Sequence, residues 1–410
     1  MLIRCSILQM GLLETMKKCE RYFILMIGLV LGLGGCFALG DELFLRGDPG
    51  SRVGVTLQVN DSGVYFRRGA AAGVWYSWDR VRDLQTENIE FAKSLKDHQE
   101  FAEEIWRARQ RVEREDYVRA EPIFEAWFGG IMGRTDPSAL VVAEGLLRCR
   151  LARASGGGLV GGSGGGGGRE GAVLPWLETW RMKQAGVETP AYGMMKPVMD
   201  ANSGLCPALS PVWIEGPALS AMVTELGVYV PVDAPVVEAV SRLYLESAER
   251  VLHRSPGSFF DEMTDEMNGS GSVRDAVAHS ASVMFVKAFT DAVSPTTSVE
   301  VRSAAIRRLS ARVSDSGWRG AWAHYARGRA YLLSDDEDDH QRGLVDLLYL
   351  PSEYVEVDWY LSGMALAESW RYLQEHGEVQ AAGALHDDLM KRFANHPVLR
   401  EDVTASAGGR

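Results

Sequence analysis

The sequence predicts a mainly α protein, an array of helical hairpins with a small N-terminal antiparallel β-meander. From Asn88 onward apolar residues recur at threes and fours, as in Leu95, Phe101, Ile105, Ala108 and Val112, which is the period of one helix face. Residues 53–84 change to a period of two, the pattern of half-buried strands. In the C-terminal half Gly328 and Gly363 lie 35 residues apart, as Trp322 and Trp359 lie 37 apart, an interval typical of helical repeats. The 410 residues are 46% apolar and 24% charged, an ordinary globular composition. The 43 basic and 55 acidic residues leave a net charge of −12. A chain with that field does not gather polyanions, so nucleic acid is not an expected partner.

Residues 1–40 form the first unit. Met16-Lys17-Lys18 and Arg21 precede Tyr22 to Gly40, a run of nineteen uncharged residues, and a basic flank before an apolar run is an export signal. Residues 1–15 lack that logic, which makes Met16 a second candidate start beside Met1. Leu33-Gly34-Gly35-Cys36 resembles the bacterial lipobox, and the resemblance implies lipidation of Cys36 and attachment to a membrane. Ala38-Leu39-Gly40 also fits ordinary signal cleavage, and nineteen residues could just span a bilayer as an uncleaved anchor. Downstream, Cys149 and Cys206 allow one disulfide at most. Cys149 follows Gly145-Leu146-Leu147-Arg148 in a helical pattern, where a buried thiol is the commoner state.

Residues 41–87 read as a linker plus the meander. Val55, Leu57 and Val59 alternate with Thr56 and Gln58, and Asn60-Asp61-Ser62-Gly63 supplies a turn. Val64-Tyr65-Phe66 follows, then Val74-Trp75-Tyr76-Ser77-Trp78 after a glycine-rich turn. Three short strands need another surface against their apolar face, so the module is expected to pack on the helices that follow. Arg46-Gly47-Asp48 falls in the linker and carries no functional expectation.

Residues 88–184 hold the first helical repeats. A break at Glu115-Asp116 separates two helices, and Ala108, Tyr117, Ala120 and Phe124 are spaced as small residues at a helix crossing with rings beside them. Here the chain resembles the tetratricopeptide repeat, with Glu104 departing from the aromatic that the family places at that position. A second copy starts near Pro137, with Gly145 as its small residue and Ala172 with Trp176 repeating the step of Ala120 with Phe124. The resemblance implies stacked helix pairs presenting a protein-binding surface. Ser155 to Gly168 is almost entirely glycine, an expanded loop without the pattern of a phosphate cradle.

Residues 185–235 carry Pro190, Pro197, Pro207, Pro211, Pro217, Pro231 and Pro235, which exclude long helices. The segment is expected to fold over the helices. Residues 236–402 return to helices. Val237, Val240, Tyr244, Ala248 and Val251 form one stripe, and Val277, Ala281, Met284 and Ala288 form another after a loop at Asn268 to Ser272. Thr297-x-x-Glu300 and Ser334-x-x-Glu337 are capping boxes marking helix starts. The acidic run 335–339 then falls in a first turn, where the helix dipole favours it, and lacks the spacing of a calcium loop. Around Gly363 the chain again resembles the tetratricopeptide repeat, with a first helix lengthened by about two turns and a final helix that opens at Ala381-Ala382 and stops before Pro397. A disordered tail is expected over 403–410.

No metal-binding, nucleophile or cofactor motif occurs, so no catalytic, cofactor or metal residue is assigned. His376 and His386, ten apart, are separated by Gly377. Trp318, Trp322, Tyr325 and Tyr331, with Tyr354, Trp359, Tyr360 and Trp370, have the spacing of helix cores, against a concave peptide-binding face as the functional reading. The expected function is a non-enzymatic protein-binding scaffold of the cell envelope. The alternative is an exported enzyme or small-ligand protein with its site under residues 185–235, around Trp213 and Glu215. A purely structural envelope protein is a third, weaker reading.

Overall fold

Gly54 lets two strands meet. A Cβ there would fall onto the Arg67 carbonyl and the Phe66 ring, so only glycine fits the close approach. Around it five antiparallel strands pair in the order β4-β3-β2-β1-β5: β1 (Asp41–Leu45), β2 (Ser51–Asn60), β3 (Gly63–Arg67), β4 (Val74–Tyr76) and β5 (Val81–Gln85). The computed structural model describes residues 40–154, 169–188, 191–231, 233–253 and 271–399. The sheet corrects the three-strand expectation. Residues 41–45, read as linker, form β1, which pairs with both β2 and β5. Arg46-Gly47-Asp48 is the turn leaving β1, where Gly47 has φ +80° and Arg46 pairs with Glu103.

The inner face of the sheet is apolar, with Leu43, Leu45, Val64, Phe66 and Trp78 fully buried. Trp78 locks the sheet to the helices. Its indole N–H donates to the Asn60 carbonyl at 3.0 Å, and its backbone N–H donates to Ser138 Oγ at 3.0 Å. Its ring stacks on His98 at 4.7 Å. The buried Asp79 carboxylate pairs with Arg109, so the module packs on the following helices as expected.

Fourteen α-helices are described: α1 (Ile89–Asp97), α2 (Gln99–Val112), α3 (Tyr117–Ile131), α4 (Pro137–Ala154), α5 (Val173–Gln184), α6 (Pro217–Val228), α7 (Pro235–Val251), α8 (Gly271–Ala278), α9 (Ala281–Val293), α10 (Val299–Ser310), α11 (Trp318–Leu332), α12 (Glu337–Glu353), α13 (Trp359–Glu375) and α14 (Val379–Arg392). Successive helices pack as hairpins: α2 on α3, α4 on α5, α9 on α10, α11 on α12 and α13 on α14. Alternate helices also touch, α2 with α4, α9 with α11 and α11 with α13, so the hairpins stack in sequence. The protein is mainly α with an N-terminal antiparallel sheet.

The crossings rest on the small residues read from the sequence. Ala108, Ala120, Phe124, Ala172 and Trp176 are fully buried. A Cβ on Gly145 would enter the Phe124 ring and lie 2.6 Å from Tyr192 Oη. Gly328 and Gly343 face each other across α11 and α12, where a Cβ on Gly343 would lie 2.8 Å from the Gly328 carbonyl. The Glu104 departure has a local cause, since its carboxylate accepts the Trp127 indole N–H at 2.7 Å.

Four expectations are revised. The Pro-rich segment contains α6, because Pro217 stands in its first turn, where its missing N–H costs nothing. The stripe from Val277 to Ala288 is split by a break between α8 and α9. Helix α10 is capped by Ser298, which accepts the Val301 N–H, and not by Thr297. Helix α12 is capped by Asp336, while Ser334 Oγ donates to Asp339; in both cases an oxygen nearer the helix reaches the free N–H first. Cys36, the alternative starts Met1 and Met16, the glycine loop 155–168 and the tail 403–410 lie outside the described residues.

Candidate functional site

Residues 191–216 have no regular backbone pairing, so their carbonyls need donors from elsewhere. Side chains of five helices and Arg169 supply them. Trp176 of α5 donates to the Gly204 carbonyl at 2.9 Å, Ser247 of α7 to Pro211 at 2.8 Å, Ser282 of α9 to Ser203 at 2.6 Å, and Trp322 of α11 to Pro207 at 3.1 Å. Tyr360 of α13 reaches the Val212 carbonyl at 3.4 Å. Arg169 does most. Its buried guanidinium donates to the carbonyls of Ala208, Val212 and Ser210 and to Ser210 Oγ, and it lies 3.9 Å over the Tyr360 ring. A planar fork with five donors suits three diverging carbonyls.

This region was the predicted alternative site. The structure places Trp213 in the core and Glu215 on the surface, so the two do not converge. The space beneath the segment is filled by Trp176, Trp213, Tyr244 and Tyr360, all buried. Cys149 and Cys206 are free and buried, and burial pushes both thiols up to about 12. They form no disulfide. His376 stacks on Tyr372 and His386 packs tilted against Trp370, so these histidines serve separate contacts. Trp318 and Trp322 pack with Phe285 and Phe289, and Trp322 and Tyr325 are fully buried, which makes them core. Among the described residues no three His, Cys, Asp or Glu side chains are grouped to hold a metal ion, and no described helix is long and apolar enough to cross a membrane.

Two titratable groups flank Arg169. Asp358, the N-cap of α13, accepts the Leu361 N–H at 2.9 Å, while its Oδ2 has no hydrogen-bond partner. Burial pushes its carboxyl up to about 6, against the pull of Arg169. His396 is satisfied as a neutral ring, Nε2 donating to the Tyr360 carbonyl at 3.0 Å and Nδ1 accepting the Val398 N–H at 3.2 Å. Burial pushes it down to about 4. The signs oppose. Asp358 contributes stability that is complete below its free value of 3.8 and is lost as pH rises through about 6. His396 contributes stability that is complete above 6.5 and is lost as pH falls through about 4. Between these limits the slopes offset one another. Asp358→Asn keeps the cap and removes one slope. Thermal melts are expected to show that raising pH from 4 to 7 stabilises this variant by about 2 kcal/mol more than it does the wild type. A variant with the wild-type pH dependence would contradict the assignment.

One open concavity among the described residues lies elsewhere, between α10 and the turn joining α11 to α12. It has a volume of about 600 Å³. Ile306, Ala330 and Leu333 supply apolar lining, Val299 stands 67% exposed at the mouth, and Asp335, Asp336, Glu337 and Asp339 form the rim. Arg302 braces the wall, its two terminal nitrogens donating to the carbonyls of Leu333, Ser294, Pro295 and Thr297. Asp339 pairs with Arg342, and the rim stays acidic. The sequence showed the acidic run, but the fold turned it into a rim by setting α10 against it.

No family model matches the chain, and no curated protein and no solved structure is detectably similar to it. The fold and the groove define a mainly α protein of stacked helical hairpins.

Proposed function

We propose that the chain is a non-enzymatic scaffold of the bacterial cell envelope that holds a partner protein. It is exported by the basic and apolar segment before Asp41 and held at the membrane through acylated Cys36. The observation that carries the scaffold reading is the groove between α10 and α12, whose aliphatic lining and acidic rim suit an extended partner segment bearing aliphatic and cationic side chains. Stacked hairpins supply a rigid frame for such a surface. Reading the chain as a binder gives the acidic rim a role beyond helix capping.

The test uses the tagged full chain extracted from the envelope in mild detergent. Recovery of one partner in stoichiometric amount is expected, and a variant carrying Asp335→Lys and Glu337→Lys should recover at least tenfold less. Equal recovery by both proteins, or none by either, would overturn the reading.

A further inference from the structure

Sequence and sheet together point to a surface that the groove does not use. The outer face of the sheet is aliphatic, with Val53, Val55 and Leu57 of β2 exposed by 58%, 47% and 37%. Around them stand Phe44 of β1, opposite Ser51, and Tyr65 and Trp75, stacked at 5.1 Å. Arg67 lies opposite Val55 and Arg82 over the Phe44 ring at 5.4 Å, while two carboxylates share the face, Glu42 opposite Val53 and Asp83 opposite Phe44. Aliphatic side chains among aromatics, with arginines and carboxylates in equal number at the edge, fit the zwitterionic boundary between lipid headgroups and acyl chains.

Chain geometry says what covers this face. A Cβ on Gly40 would lie 3.2 Å from Val53 Cγ1, so the chain enters β1 beside the exposed valines. Asp41 is the first residue of β1. Its carboxylate accepts the Thr56 N–H at 2.6 Å. Only four residues separate Asp41 from Cys36, which bounds the reach from a lipid at Cys36 to roughly 17 Å. Charge agrees. Residues 41–87 hold six basic and seven acidic side chains, whereas residues 88–410 hold 33 and 46. The sheet is therefore the near-neutral end of an acidic protein, the end that an anionic membrane repels least.

We propose that the outer face of the sheet, centred on Val53, Val55 and Leu57, lies against the lipid bilayer and orients the helical array away from it. The tether rests on the acylation of Cys36 proposed above; the apolar face does not. Arginines reach phosphates while the valines and Leu57 enter the headgroup boundary. The sheet supplies a contact with the bilayer that does not depend on the lipid at Cys36.

The test places the photo-crosslinking residue p-benzoylphenylalanine at Val55, and separately at Val345 on α12, in the full chain bound to vesicles of phosphatidylethanolamine and phosphatidylglycerol. Lipid adducts, read by mass, are expected at position 55 at least tenfold above position 345. A dimer adduct at 55, a protein adduct, or equal lipid labelling at both positions would overturn the proposal. The mass of the N-terminal peptide reports the anchor separately. If Cys36 is unmodified or cleaved away, the anchor reading fails, and the chain starting at Asp41, which retains the whole described fold, is tested in the same vesicles. Lipid adducts at 55 then still uphold the face, and their absence sinks it.

Discussion

Replacing Arg169 by Met is expected to remove about 3 kcal/mol of stability or more, because the Ala208 carbonyl loses its donor while those of Ser210 and Val212 keep only the Val212 N–H at 2.7 Å and the Tyr360 hydroxyl at 3.4 Å. Each buried acceptor left unsatisfied costs about 1–3 kcal/mol. A domain has only about 5–15 kcal/mol in total, so residues 191–216 should come loose before the rest unfolds. Limited proteolysis should cut within that segment in the variant and not in the wild type. Arg169→Lys keeps the charge but offers a point in place of a fork, and it should cost roughly half as much. A Met variant melting within about 1 kcal/mol of wild type would show that Arg169 is not what holds the segment.

Gly145→Val should be comparably severe. The new side chain would enter the Phe124 ring and crowd Tyr192, which cannot retreat because Tyr192 Oη donates to the Val141 carbonyl at 3.1 Å. Overpacking of this kind costs about 1–3 kcal/mol where the core can yield and more where it cannot, so a loss above about 3 kcal/mol is expected in urea unfolding. Gly383 on α14 is the control. A Cβ there meets nothing within 4 Å, so Gly383→Ala should stabilise by about 0.5–1 kcal/mol through helix propensity. Similar losses at both positions would mean that helix crossing distance does not decide where glycine is required.

These contrasts explain what could be read in advance. Helix positions and the small residues at their crossings are local and periodic, so Ala108, Ala120, Gly145 and Gly328 were visible as a pattern in the sequence; Gly363 was visible too, but it makes room for the His396 ring. Strand β1 was not, because five residues show little alternation and its partners β2 and β5 are set by pairing beyond the segment. The role of Arg169 was equally hidden. The donors that pin the Pro-rich segment lie up to 148 residues away in sequence, and no spacing rule reaches that far. The groove was half legible: the acidic run 335–339 stood out, but its apolar wall comes from α10, which Arg302 holds against Leu333 across 31 residues.

The account rests on the groove being occupied by another protein. The most direct measurement puts a photo-crosslinking residue at Ser303, in the wall opposite the acidic rim, in the full chain in living cells. One discrete protein adduct is predicted, abolished when Asp335→Lys and Glu337→Lys are introduced together. An uncrosslinked chain in cells where it is properly folded, or adducts indifferent to those two reversals, would contradict it.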